Sequence, residues 1–304
     1  MGSKDKSIRE SIPKVNGKVV FDEPMSVHTS FKLGGPADIF AVPENVEDLQ
    51  VILRWANENA LPVFLLGAGT NLLVSDRGIR GLVIQLGVGF NQIHIRNSVL
   101  RAGAAARLSR VLRKSLGRGL SGLEGIAGVP GTVGGAICMN AGTSAGYIGD
   151  ALDRVVAMDL QGEVSEVPAS ELGLSYRQSA IKEKKIIITG AIFQLRPQES
   201  GEINNIITEL LTKRKHTQPV GIGTAGSVFK NPSGGYAGQI LEKVGAKGTQ
   251  VGGARVSSKH ANFIENTGAA SAEDVHNLIV KLQELAKSKA GVVLEPEIEI
   301  VGEW

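Results

Sequence analysis

One cysteine, Cys138, stands in 304 residues, so no disulfide can close within the chain. A lone thiol suits a reducing compartment. No histidine is near it in sequence, and it reads as a small buried hydrophobe rather than a nucleophile. Aromatic residues make up only 4%, too few for a surface on which single-stranded nucleic acid bases stack. Charge of one sign is lacking as well. The 33 basic and 30 acidic residues leave a net +3, which gives no electrostatic footprint for nucleic acid. No apolar run approaches the roughly 18 residues of a membrane-spanning helix. Met1 to Lys6 is polar and leads into no apolar segment, so no signal peptide is expected, and the expected location is the cytoplasm. The five histidines, His28, His94, His216, His260 and His276, show no metal-ligand spacing with a carboxylate partner, so no metal is expected.

What the sequence has in excess is glycine, 39 residues of 304, against a usual share of about 7%. The glycines fall in patches without a collagen-like period. Hydrophobic residues at 42% and charged residues at 21% are ordinary for a globular protein, and the length suits two or three domains.

Periodicity places the elements. Residues 1–20 read as an arm. A helix follows Pro43 with Val46, Leu49, Leu53 and Ala56 on one face. Val63 to Leu66 and Val83 to Leu86 read as strands, and residues 105–116 as a helix. After the glycine-rich stretch 117–149, strands resume at Val155 to Met158 and Lys185 to Leu195. A helix near 203–215 carries Ile206, Ile207, Leu210 and Leu211 and ends in Lys213-Arg214-Lys215-His216; Pro219 breaks it. A second glycine-rich stretch covers 221–238, and a short helix aligns Ala237, Ile240, Leu241 and Val244. Ser271 and Asp274 form a capping-box pattern ahead of Val275, Leu278, Ile279, Leu282 and Leu285. Val292 to Val301 reads as a strand interrupted by Pro296. A boundary falls near 200, where Arg196 to Gly201 is polar and turn-rich.

Glycine loops that leave a strand can bring backbone N–H groups against a phosphate. Gly117 to Gly122 and Gly221 to Gly226 both match G-x-G-x-x-G, yet neither follows a strand and opens a helix, so neither is a dinucleotide fingerprint. Leu65-Leu66-Gly67-Ala68-Gly69-Thr70-Asn71-Leu72 does follow a strand, but its sixth position is leucine. It fits a pyrophosphate held by backbone amides and small polar side chains, and equally a plain strand-turn. In Gly125 to Ala136, glycines recur at 128, 131 and 134. That density suits backbone lying flat against a planar ligand or its phosphates; a tight packing corner is the plainer reading.

The Gly67–Leu72 and Gly125–Asn140 loops together resemble the FAD-binding domain of the vanillyl-alcohol-oxidase-type flavoproteins. Four further segments narrow the likeness: Thr29 to Asp38, Ser175-Tyr176-Arg177-Gln178-Ser179, Gly226-Ser227-Val228-Phe229-Lys230-Asn231-Pro232 and Leu294-Glu295-Pro296-Glu297. In this order, from about residue 21 to 301, they resemble the UDP-N-acetylenolpyruvoylglucosamine reductase family, in its second structural type.

The resemblance implies an α/β plus α+β fold: an arm at 1–20, two FAD-binding subdomains at 21–85 and 86–199, and a substrate-binding domain at 200–304. It implies non-covalent FAD, NADPH as reductant, a UDP-sugar substrate, and a monomer or weak oligomer free of nucleic acid and membrane. Ser227 is then the proton donor, assisted by Arg177 and Glu297. FAD falls to Gly67, Ala68, Gly69, Thr70, Asn71 and Leu72, and to Gly128, Val129, Pro130, Gly131, Thr132, Gly134, Gly135, Ala136, Asn140 and Ala141. The UDP-sugar falls to Arg214, Lys230, Asn231, His260 and Asn262. The span from Ile203 to Gly221 has no room for the insertion of the first structural type, so another group closes over the nucleotide, with Lys213 to Lys215 a candidate. Two other readings are a flavin oxidase of small alcohols or sugars, which has no use for Arg177 with Ser227, and a nucleotide-binding module without catalysis.

Overall fold

Asn45 starts the first long helix, Val46–Glu58. Its side-chain oxygen accepts a hydrogen bond from Asp48 N at 2.7 Å, and Glu47 and Asp48 put negative charge at the positive end of the helix. Leu49, Ile52, Leu53 and Ala56 recur at helical spacing and are buried against Leu82, Ile84, Met158 and Ile187. Full burial of each larger side chain there contributes about 1.5–3 kcal/mol. Val46, expected on this face, is 37% exposed at the helix start. This is one element of a computed structural model that describes residues 8–181, 183–219 and 221–304.

The chain forms two units. The first comprises residues 1–21, 39–67 and 81–208, the second 22–38, 68–80 and 209–304. Neither is a continuous stretch of chain.

In the first unit an antiparallel sheet runs in the order Val164–Pro168, Leu152–Met158, Ile187–Gln194, Val99–Gly103, Ile93–Arg96. A second sheet, the greater part of it from this unit, is ordered Lys18–Pro24, Pro36–Val42, Ile79–Gln85, Val63–Leu66, and its last two strands are parallel, with Val63 opposite Leu82. The glycine-rich stretch 117–149 holds a short helix, Val133–Cys138, that periodicity did not indicate. Glycine lets it lie close to the sheet: a Cβ on Gly134 would sit 3.1 Å from Ala104 Cβ. Cys138, expected to be buried, is partly exposed at the end of that helix. Residues 1–7 of the expected arm lie outside the described residues. The rest is docked: Ile8, Ile12 and Val15 pack on the helix core, and Trp55 Nε1 donates to Ser11 Oγ at 3.1 Å.

In the second unit, Gln250–Val251, Ala254–Val256 and Ile264–Asn266 form an antiparallel sheet. Helix Ala272–Ala290 buries Val275, Leu278, Ile279, Leu282 and Ala286 in the unit's core. Its capping box is present as the sequence indicates: Asp274 N donates to Ser271 Oγ at 3.0 Å, and Ser271 N to Asp274 Oδ2 at 3.0 Å. Asp76 adds a second cap by accepting from Ala272 N and Glu273 N. Gly291, at φ +68°, closes the helix in the left-handed region.

Two expected elements differ. The terminal strand is only Glu299–Val301, pairing parallel with Leu72–Val74; Pro296 lacks an N–H for a longer ladder. Helix Ser200–Thr217 buries Ile203 and Ile207, while Ile206 and Leu211 are exposed at 38% and 45%.

Candidate active site

In the first unit, strand Val63–Leu66 delivers Gly67, whose carbonyl accepts from Gln85 Nε2 at 2.9 Å. A Cβ on Gly67 would come within 3.0 Å of Thr132 Oγ1 and 3.7 Å of Gly135 Cα. Thr132 precedes helix Val133–Cys138, is 8% exposed, and makes no side-chain capping bond. Gly67, Thr132 and Gly135 therefore converge on a surface of bare backbone with one small hydroxyl. Gly128 (φ +72°) and Gly131 (φ +143°) turn the chain into this surface with backbone that side-chain-bearing residues rarely adopt, and Gly128 and Gly135 are exposed. A large flat ligand with a pyrophosphate fits such a surface.

Asn140, in the same unit, is buried at φ +41°. Its carbonyl oxygen accepts from Gly149 N at 3.1 Å, and its amide donates to Ser175 O at 3.0 Å. That second bond anchors the Ser175–Gln178 turn, where Arg177 sits at φ +57°. Arg177 Nη2 donates to Gly142 O at 3.2 Å, and the guanidinium lies 5.3 Å from the Tyr176 ring centroid. Asn140 thus supports the arginine turn rather than presenting a free amide.

In the second unit, Gly69 (φ +63°) has no room for a side chain: a Cβ would collide with His28 O. Asn71 Nδ2 donates to Glu297 O at 3.0 Å, and Asn71 O accepts from Glu299 N. Ser227 is partly buried, and its hydroxyl has no hydrogen-bond partner among the described residues. Gly226 at φ +81° turns the chain into it. Val228 O accepts from Glu297 N at 2.7 Å, so Ser227 and Glu297 stand on adjoining, hydrogen-bonded segments.

The expected substrate residues have varied surroundings. Lys230 Nζ lies 2.6 Å from Glu295 Oε1, a partner the sequence did not suggest although Glu295 stands two residues before Glu297. Asn231 Oδ1 accepts from Ala237 N. His260 packs edge-on against Phe263 at 4.8 Å, and burial, with Lys247 adding to it, holds its imidazole below the usual value. Asn262 spends its side chain on Phe229. Arg214 lies in the last turn of its helix with Lys215 and His216, complementing the helix C-terminus. Among the described residues no group of histidine, cysteine and carboxylate side chains could hold a metal ion, and no helix is long and apolar enough to cross a membrane.

A family model described as "FAD binding domain" matches residues 37–167, the region that contains Gly67, Thr132 and Gly135. Fold and cradle define a FAD-binding protein. A second model, "UDP-N-acetylenolpyruvoylglucosamine reductase, C-terminal domain", matches residues 218–301. The chain is 41% identical over 311 residues to the UDP-N-acetylenolpyruvoylglucosamine reductase of Agathobacter rectalis, with 98% of each chain covered. It is 43% identical to that of Carboxydothermus hydrogenoformans, with 99% of each covered. The crystal structure of the reductase from Thermus caldophilus superimposes with a TM-score of 0.82 at 34% identity, covering 94% of this chain and 99% of that one. The chain belongs to the UDP-N-acetylenolpyruvoylglucosamine reductase family. A likeness of fold alone extends to a glucose dehydrogenase, at a TM-score of 0.50 and 12% identity, covering 66% of this chain and 45% of that one.

Proposed function

We propose that this protein reduces UDP-N-acetylenolpyruvoylglucosamine to UDP-N-acetylmuramate at the expense of NADPH, through non-covalently bound FAD, in peptidoglycan precursor synthesis. The observation that carries the reading is Ser227, a hydroxyl without an internal partner among the described residues, on a segment hydrogen-bonded to Glu297. It lies in a chain that is alike along almost its full length to reductases of that name.

When bound, FAD supplies a carrier that takes a hydride from NADPH and gives it to the substrate. Gly67, Gly69 and the glycine-rich backbone of 128–136 would hold it. Residues 21–85 and 86–199 serve the cofactor, and 200–304 serve the UDP-sugar.

Hydride addition at the enolpyruvyl methylene carbon leaves negative charge on the adjacent carbon and its carboxylate. Ser227 Oγ–H protonates that carbon. The Arg177 guanidinium, always cationic, stabilises the charge as it develops, and Glu297 assists at the enol stage. Arg214, Lys230, Asn231 and His260 serve the UDP-sugar. The lone cysteine supports a cytoplasmic location, and the protein works as a monomer or weak oligomer.

An anaerobic absorbance trace tests the reading. NADPH should bleach the bound flavin, and the enolpyruvyl substrate should restore the colour without oxygen. A reduced flavin that only oxygen reoxidises would point to an oxidase. A colourless protein that takes up no added FAD would overturn the assignment.

A further inference from the structure

Asn262 is 3% exposed and makes four hydrogen bonds, three of them to the two residues after Ser227. Its Oδ1 accepts from Phe229 N at 2.9 Å, and its Nδ2 donates to Phe229 O at 2.8 Å. Its own carbonyl accepts from Val228 N at 2.9 Å. Its backbone N donates to His260 Nδ1 at 3.2 Å. A carboxamide is the one side-chain end that offers an acceptor and a donor in the spacing of a backbone peptide, so it meets both polar groups of Phe229 as a neighbouring strand would. Phe229 and Val228 are buried at 0% and 1% exposure, where no water replaces a lost bond.

On the opposite side, Val228 O accepts from Glu297 N, and Lys230 N donates to Glu295 O at 2.9 Å. The segment behind Ser227 is therefore gripped from both sides. The Asn262 amide spends its oxygen and one of its two N–H groups on Phe229, so its main use in the structure is to hold this segment, beside the expected one as a substrate ligand.

We propose that Asn262 is a positioning residue: by clamping Phe229 it fixes the line along which Ser227 delivers its proton. The inference rests on Ser227 being the acid. The balance of the step is simple. The hydride, drawn from NADPH, brings its electron pair to the methylene carbon. The displaced π pair takes the proton leaving Ser227 Oγ, and that oxygen recovers a proton from water. The protonated carbon becomes a stereocentre, so the direction of delivery is written into the product.

The test uses the holoenzyme with Asn262→Ala, which removes both side-chain bonds, and with the near-isosteric Asn262→Asp, which keeps the acceptor for Phe229 N and loses the donor to Phe229 O; parental reduction by NADPH reports that each variant is folded with FAD in place. Reduction of bound FAD by NADPH should keep its parental rate. Reoxidation by the enolpyruvyl substrate should slow about 10–100-fold, the order expected when a reacting group is misplaced by about 1 Å. Product made in deuterated water should contain both configurations at the new stereocentre. Combined with Ser227→Ala, the Asn262 change should slow reoxidation no further, because it acts through the missing hydroxyl. Slowing that multiplies with that of Ser227→Ala, equal loss in both half-reactions, or single-configuration product at the parental rate would each overturn the inference and leave Ser227 as the acid. A Ser227→Ala enzyme that reoxidises at the parental rate would instead bring down the proton-donor reading, and this inference with it.

Discussion

Gly67→Ala separates two reasons for a glycine at the end of its strand. The new methyl would lie 3.0 Å from Thr132 Oγ1, closer than side-chain carbons normally approach, so Thr132 must yield by a few tenths of an ångström. Overpacking of this kind costs about 1–3 kcal/mol, and the stiffer unfolded chain returns about 0.4–1 kcal/mol, so the apoprotein should lose about 1–2 kcal/mol in a urea titration. The same methyl would stand on the bare surface assigned to the pyrophosphate. A second misfit of about 1–3 kcal/mol there corresponds to FAD binding about 5–150-fold weaker in a fluorescence titration of the apoprotein. Adding Thr132→Ala leaves Gly135 Cα, at 3.7 Å, as the next neighbour, an ordinary contact. Stability should then recover while FAD affinity does not. Parental FAD affinity in Gly67→Ala, or recovery of both quantities in the double variant, would refute the cradle and leave Thr132 as the only reason for the glycine.

Ser227→Ala removes a hydroxyl that makes no internal hydrogen bond among the described residues, so unfolding should shift by less than about 0.5 kcal/mol. In stopped-flow traces its reoxidation by substrate should slow by about 10²–10⁴-fold, with NADPH reduction unchanged; equal loss in both halves would mean a damaged flavin site. Ser271→Ala breaks the cap of helix Ala272–Ala290 and should cost about 0.5–2 kcal/mol, and a null result would mean that Asp76 alone suffices. His260 is held below its usual pKa of about 6.5 by burial, with Lys247 lowering it further and Glu242 opposing. The unfolded chain takes up that proton first, so stability present above about pH 6.5 is lost as the pH falls toward the folded value. Urea midpoints at about pH 7.5 and 5.5 should therefore converge in His260→Gln relative to the parent, and an unchanged difference would clear His260. Arg214→Ala should weaken UDP-sugar affinity and leave NADPH reduction alone; normal affinity would return this arginine to helix-terminus duty.

Local chemistry was readable along the chain wherever one residue decides a structure. Ser271 with Asp274, and the Val63-to-Leu66 run, could be placed because caps and short apolar strands depend on neighbours within about four positions. Helix Val133–Cys138 escaped notice because its glycines weaken any helical signal, and the close approach to Ala104 that favours them lies in the fold. Asp76 capping a helix that begins at Ala272, and Asn262 gripping Phe229, join residues too far apart in sequence for any spacing rule to link. The site residues came from motif order. Their functional types were legible, but the use of each was not: Asn262 and Asn140 carry the polar chemistry of ligands, and the structure engages both in holding neighbouring turns.

The parallel pairing of Glu299–Val301 with Leu72–Val74 has a consequence for how the molecule comes into being. At about 5–20 residues per second, the roughly 230 residues between these partners take on the order of 10–50 s to be synthesised. Throughout that interval Leu73, 0% exposed in the finished protein, has no strand to its side, and Asn71 has neither Glu297 nor Glu299 to bond. The second unit is thus a late assembly on the ribosome, slowed by the closure of a very long loop. Asn71 and the strand that follows it gain their final bonds only once Val301 has emerged, so a stalled or truncated nascent chain carries the glycine loop without the partners that hold its far end.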